Sequence, residues 1–246
     1  MTKTKKSRQR GVTRITSLVW ILFVFILALS LVGIQPTSIV KAQTCVTSRI
    51  SASSDDAEER MNTGSTNGDV DLDGDTSTKS LQMYRAYGGS TTDRNWWGLR
   101  FLNVNVPQAA TITSAKVTFR ALVTSGSTNS GMTLWGQLAA NPTTFTTSDF
   151  NISNRTHTTA SVAWTVPQWT SGLDYQTNDL TSIVQEIVNQ ADWVANNALV
   201  ILGQTTVSQN RSAASRDSTN GSTLAPLLEV CYEAGPAITI SGSLSP

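Results

Sequence analysis

The chain has 246 residues, 39% hydrophobic and only 14% charged, with abundant Thr, Ser, Asn and Gly, which suits a β-protein with polar faces and excludes a helical bundle or a disordered tail. Seven of the 18 Lys and Arg, and none of the 17 Asp and Glu, fall in the first 42 residues, so the remainder carries a net charge of −6 behind a whole-chain value of +1. That remainder lacks the basic footprint of a nucleic-acid binder, and no nucleic-acid partner is expected.

Lys3, Lys5, Lys6, Arg8, Arg10 and Arg14 precede an uncharged run over 17–34, which is followed by Pro36 and Val40-Lys41-Ala42. A charged flank, an apolar stretch and small residues at the end are the parts of a signal peptide cleaved after Ala42. The run also approaches the ~30 Å needed to span a bilayer, so an uncleaved signal anchor is the alternative and the one membrane attachment expected. Either way everything from Gln43 onward is exported, and the expected location is secreted or cell surface.

A strand is predicted over 46–52, preceded by Cys45. The only other cysteine, Cys231, lies on the last predicted strand, and an even number in an oxidising compartment favours one disulfide between neighbouring first and last strands. Two free cysteines are the alternative. Period-two reading puts both on polar faces, Cys45 with Thr47 and Arg49, Cys231 with Glu229 and Glu233.

Eight of the 17 acids then crowd between Asp55 and Asp75. Asp69, Asp71, Asp73 and Asp75 stand at positions 1, 3, 5 and 7 of a loop with Gly74 at position 6, the oxygen-donor spacing of a calcium loop. Ser80 occupies position 12, where an EF-hand needs a bidentate Glu, so the expectation is structural Ca2+ in a non-EF loop, against a solvated acidic hairpin. Asp55, Asp56, Glu58 and Glu59 form the alternative cluster.

Further strands are predicted over 81–87, 97–106, 115–123, 132–138, 161–166, 198–203 and 227–232, divided by Gly, Ser, Thr, Asn and Pro. The alternation is clearest at Ala115, Val117, Phe119, Ala121 and Val123, with Lys116, Thr118, Arg120 and Thr124 between them. Eight strands make a jelly-roll count. One amphipathic helix is predicted over 179–190, where Leu180, Ile183, Val184, Ile187 and Val188 keep helical spacing, to cover an open edge or mouth of the sandwich. The expected fold is therefore all-β, a jelly-roll-like antiparallel sandwich over 43–234. After it, Gly235-Pro236 reads as a linker, and 237–246 as the opening of a further β-domain cut short.

Ser53-Ser54-Asp55-Asp56-Ala57-Glu58-Glu59, Gly98-Leu99-Arg100-Phe101 and Val106-Pro107-Gln108-Ala109-Ala110-Thr111-Ile112-Thr113-Ser114-Ala115 come in that order, followed by Trp164, Trp169, the helix and Ala225-Pro226-Leu227-Leu228-Glu229-Val230. This succession resembles the DNRLRE-type modules, β-jelly-roll domains grouped with the family 96 carbohydrate-binding modules of exported bacterial and archaeal proteins. The resemblance spans nearly all of 45–232 and rests on order more than on any one motif. It implies glycan attachment or plain structural packing, not catalysis. The chain departs from the pattern in the 69–75 loop and in Trp96-Trp97.

Six tryptophans follow residue 42, and flat aromatic faces stack on sugar rings. Trp164, Trp169 and Trp193 are expected in the core, and Trp97 with Leu99 and Phe101 on a buried face. Trp96 and Trp135, with Tyr84 or Tyr87, are left as the expected exposed contacts. The partner expected is a polysaccharide or cell-surface glycan, neutral or bridged by calcium, since the acidic charge opposes an anionic polymer unless Arg85, Arg94 and Arg100 cluster. No enzyme is expected: His157 is the sole histidine and reads as a solvated loop residue, no nucleophile or phosphate motif occurs, and a glycosidase pair would have to come from isolated acids such as Asp149, Asp174 or Glu186. The rival expectation is a structural or adhesive module that binds no sugar.

Overall fold

The computed structural model describes residues 43–61, 64–72, 79–83, 95–125, 128–207 and 209–233; the expected signal segment and linker, and Tyr84, Tyr87, Asp73, Asp75, Arg85 and Arg94, lie outside them. Within them the chain forms β1 (Gln43–Arg49), β2 (Asp56–Glu59), β3 (Val70–Asp71), β4 (Ser80–Gln82), β5 (Trp96–Phe101), β6 (Thr111–Arg120), β7 (Ser130–Gln137), β8 (His157–Val166), β9 (Asp174–Gln176), β10 (Leu199–Val207), β11 (Ser212–Ala214) and β12 (Leu227–Glu233). Two helices join them, α1 (Thr181–Val188) and the single turn α2 (Gly221–Leu224). A four-stranded sheet runs β1-β12-β6-β9, a six-stranded sheet β3-β2-β5-β10-β7-β8, and β11 pairs with β4. All pairings are antiparallel, so the chain is an all-β sandwich, as the alternation predicts.

The main core lies between the two large sheets. The apolar side of β6, Ala115, Val117 and Phe119, is fully buried against Trp97, Leu99 and Phe101 of β5 and Met132 and Leu134 of β7. Phe119 meets Trp97 edge-on at 5.7 Å and stacks on Trp164 at 5.6 Å, geometries that favour aromatic pairs beyond simple area burial. Trp97 has room because its cross-strand neighbour is Gly203, where a Cβ would lie 2.1 Å from the indole. Trp169 and Trp193 are also buried, and Trp193 donates its indole N–H to the Val106 carbonyl at 2.9 Å.

β1 and β12 pair in the register that sets Cys45 opposite Cys231, and the two are bonded. The expectation that both thiols sit on polar faces holds for Cys45, which is exposed. Cys231 is buried, because β12 is an inner strand flanked by β1 and β6.

Helix α1 is shorter than the predicted 179–190. The Asp179 side chain stands outside its first turn, accepting from the Thr181 amide and hydroxyl and from the Ala115 amide on β6. Its apolar stripe is buried, and Glu186 accepts the Thr159 and Ala160 amides at 2.8 Å each, so the helix covers the free edge of β8. A sheet edge closed this way has fewer backbone groups left to pair with another chain.

Candidate functional site

Antiparallel register places Trp135 and Thr133 of β7, Ser161 and Ala163 of β8, and Leu202 and Gln204 of β10 on one face of the six-stranded sheet, the face turned away from the main core. Ser161 and Ala163 are exposed, Thr133, Trp135 and Gln204 half-buried, and Leu202 buried. The described side chains of this patch are uncharged: hydroxyls, an amide, a methyl and one indole.

A second, smaller core supports the patch. Ala57, Val70, Trp96, Val200 and Leu202 from the sheet are covered by Phe145 and Ile152 of the long 138–156 connection, with Trp135 packed at the margin. Gly98 makes this cover fit, since a Cβ there would lie 2.3 Å from Phe145 Cζ. Arg155 holds the cover in shape with all five of its N–H donors. It bonds the carbonyls of Asn151, Thr143 and Thr144 and the side-chain oxygens of Gln137 and Asn151, at 2.7–3.1 Å. Its guanidinium lies 4.1 Å over the Phe145 ring. Burial, with the nearby Arg100, lowers its pKa to about 10, so it remains charged at neutral pH.

Trp96 is therefore not an exposed contact. It is 7% accessible, lies under the cover, and packs against Trp135 at 5.4 Å and His157 at 5.1 Å. His157 is likewise no solvated loop residue. It opens β8, stacks on Trp135 at 5.3 Å and 22°, and has a buried Nε2 without a hydrogen-bond partner; burial lowers its pKa. Trp96 and His157 together brace the Trp135 indole. Sequence patterning missed this because the covering residues are far away in the chain and carry no strand or helix period of their own.

The expected calcium loop is described only in part. Asp69 lies 3.8 Å from Arg60, and Asp69 and Asp71 line an open cleft of about 370 Å³ with Arg60, Val70, Leu72 and Thr147. Among the described residues no group of three or more His, Cys, Asp or Glu is placed to hold a metal.

The alternative cluster is spread along and beside β2 with separate partners. Asp55 accepts from Arg100 and Thr144, both at 2.9 Å; Glu58 accepts the Gln82 amide; Glu59 accepts the Ile152 and Ser153 amides at 2.8 Å each. Arg100 is thus committed to Asp55 and, through Nε, to the Pro142 carbonyl. Of the isolated acids, Asp149 is exposed, Asp174 forms a bidentate pair with Arg120, and Glu186 caps the β8 edge. Set against known proteins, the chain matches no family model and no curated protein.

Proposed function

We propose that this chain is an exported, non-catalytic binding module whose outer sheet face takes a neutral polysaccharide. The single observation that carries the reading is the half-exposed Trp135 indole, packed against Trp96 and His157 and bordered by Thr133, Ser161 and Gln204. A sugar offers an apolar ring face to an indole and hydroxyls to amides and hydroxyls, and a preorganised ring loses little entropy on binding. The resemblance to the DNRLRE-type modules supports the same class of partner. Export, implied by the N-terminal segment, is compatible with the disulfide. Calcium in the 69–75 loop remains part of the proposal as a structural ion.

A structural or adhesive role without sugar is the second reading, and the burial of Trp96 favours it, since only one of the two tryptophans expected to make contact is left with exposed area. Affinity electrophoresis through gels containing neutral or acidic polysaccharides separates the two. Retardation by a neutral polymer supports binding, and unchanged mobility in every gel supports the structural role.

A further inference from the structure

Among the described residues three buried carboxylate oxygens have no hydrogen-bond partner: Asp56 Oδ1 and Glu59 Oε1 on strand β2, and Asp217 Oδ2 in the turn after β11. Asp56 is 2% exposed; its Oδ2 accepts the Arg216 amide at 2.7 Å, while its Oδ1 is buried and has no hydrogen bond among the described residues. Asp217 accepts the Ser53 hydroxyl at 2.7 Å through Oδ1, and its Oδ2 is also buried without a partner. A buried carboxylate oxygen left unpaired is costly, because the lost hydration is not replaced.

Among the described residues no cationic side chain is hydrogen-bonded to either oxygen of the Asp56–Asp217 pair. The Arg216 guanidinium donates through Nε to the Ser51 carbonyl, and Arg100 is held by Asp55 and Pro142. The charges that Asp56 senses come from Asp217 and Asp55, both negative. Burial first, and then these two neighbours, push its pKa up to about 8, against the pull of the Arg216 amide. Among the described residues the place thus combines two carboxyl groups with free oxygen lone pairs and no nitrogen or sulfur ligand.

We propose that a hard divalent cation, Ca2+ by preference, binds between Asp56 Oδ1 and Asp217 Oδ2 and ties the acidic strand β2 to the turn at 215–218. Calcium suits it because it accepts irregular sets of six to eight oxygens, including carbonyls and water, whereas Mg2+ requires a near-ideal octahedron. With two carboxylates the expected Kd is on the order of 10⁻⁴–10⁻³ M, the range of extracellular modules. The site is separate from the 69–75 loop and does not depend on sugar binding.

The test uses the exported protein, stripped with chelator and titrated with calcium chloride at pH 8.5, where a proton competes least for Asp56. The expected result is a saturable rise in Tm of about 3–6 °C at tenfold excess over Kd. The rise should shrink in both Asp56→Asn and Asp217→Asn, and a saturable part of it should persist when Asp69 and Asp71 are both changed to Asn, which separates this site from any ion in the 69–75 loop. Asp217 is only half-buried, so its variant reports even if Asp56→Asn fails to fold. Wild-type Tm indifferent to calcium would overturn the proposal, leaving the pair held by a proton alone. So would a calcium effect that is unchanged in Asp217→Asn, or one that disappears entirely with Asp69 and Asp71.

Discussion

Phe145 packs directly on the backbone of Gly98, with no space between them for a methyl group. That contact seats the 138–156 connection on the outer sheet face and closes the second core over Trp96. Gly98→Ala is therefore expected to push the ring outward and cost about 1–3 kcal/mol, as overpacking does. Urea unfolding measures the loss, and faster amide exchange of Phe145 and Ile152 than of the main-core strands would locate it in the cover.

The strands that build the main core were legible because each alternates: the apolar residues of β6 and β7 face inward as their period requires. Strand β2 was not. Asp56-Ala57-Glu58-Glu59 has the composition of a solvated loop, yet all four residues are buried, because Glu58 and Glu59 reach the amides of Gln82, Ile152 and Ser153. Local pattern does not report a hydrogen bond whose donor lies 93 residues away. The same limit applies to the site. Period two puts Trp96 and Trp97 on opposite faces, which is correct, but a second layer over the outer face left neither exposed.

Cys45 and Cys231 are separated by 186 residues, so their bond closes almost the whole described domain. Chain-entropy arithmetic gives about 5 kcal/mol as an upper figure for such a loop. Replacing both cysteines by Ser is expected to lower stability by a large part of that amount in urea titration. Mass spectrometry of the unreduced protein is expected to find no thiol open to alkylation.

His157 stacks in its cluster in the neutral form, and its lowered pKa means that the folded state resists protonation more than the unfolded chain does. The unfolded chain then binds more protons as pH drops below about 6.5, so the stability His157 contributes is present above that value and is lost as pH falls through its folded pKa. Protonation of Asp56, whose pKa is raised to about 8, stabilises the fold over the same range in every variant that keeps it, so His157 is read as a difference: from pH 7.5 to 5 the wild type should lose stability relative to His157→Phe. That variant keeps a ring beside Trp96 and Trp135 but does not titrate.

Trp135 supplies the only ring of the Trp96–Trp135–His157 cluster proposed to touch ligand, and its half-buried place at the margin of the second core means truncation should cost less than at Trp96. Trp96→Ala, by contrast, empties a buried site and is expected to cost about 3–5 kcal/mol. The most direct measurement is the affinity of wild type and Trp135→Ala for a panel of neutral polysaccharides, with Tm recorded for both. The wild type is expected to be retained by at least one neutral polymer, and Trp135→Ala to lose that retention while still unfolding cooperatively. Retention that survives Trp135→Ala, or a wild type that binds none of the panel, would contradict the proposal.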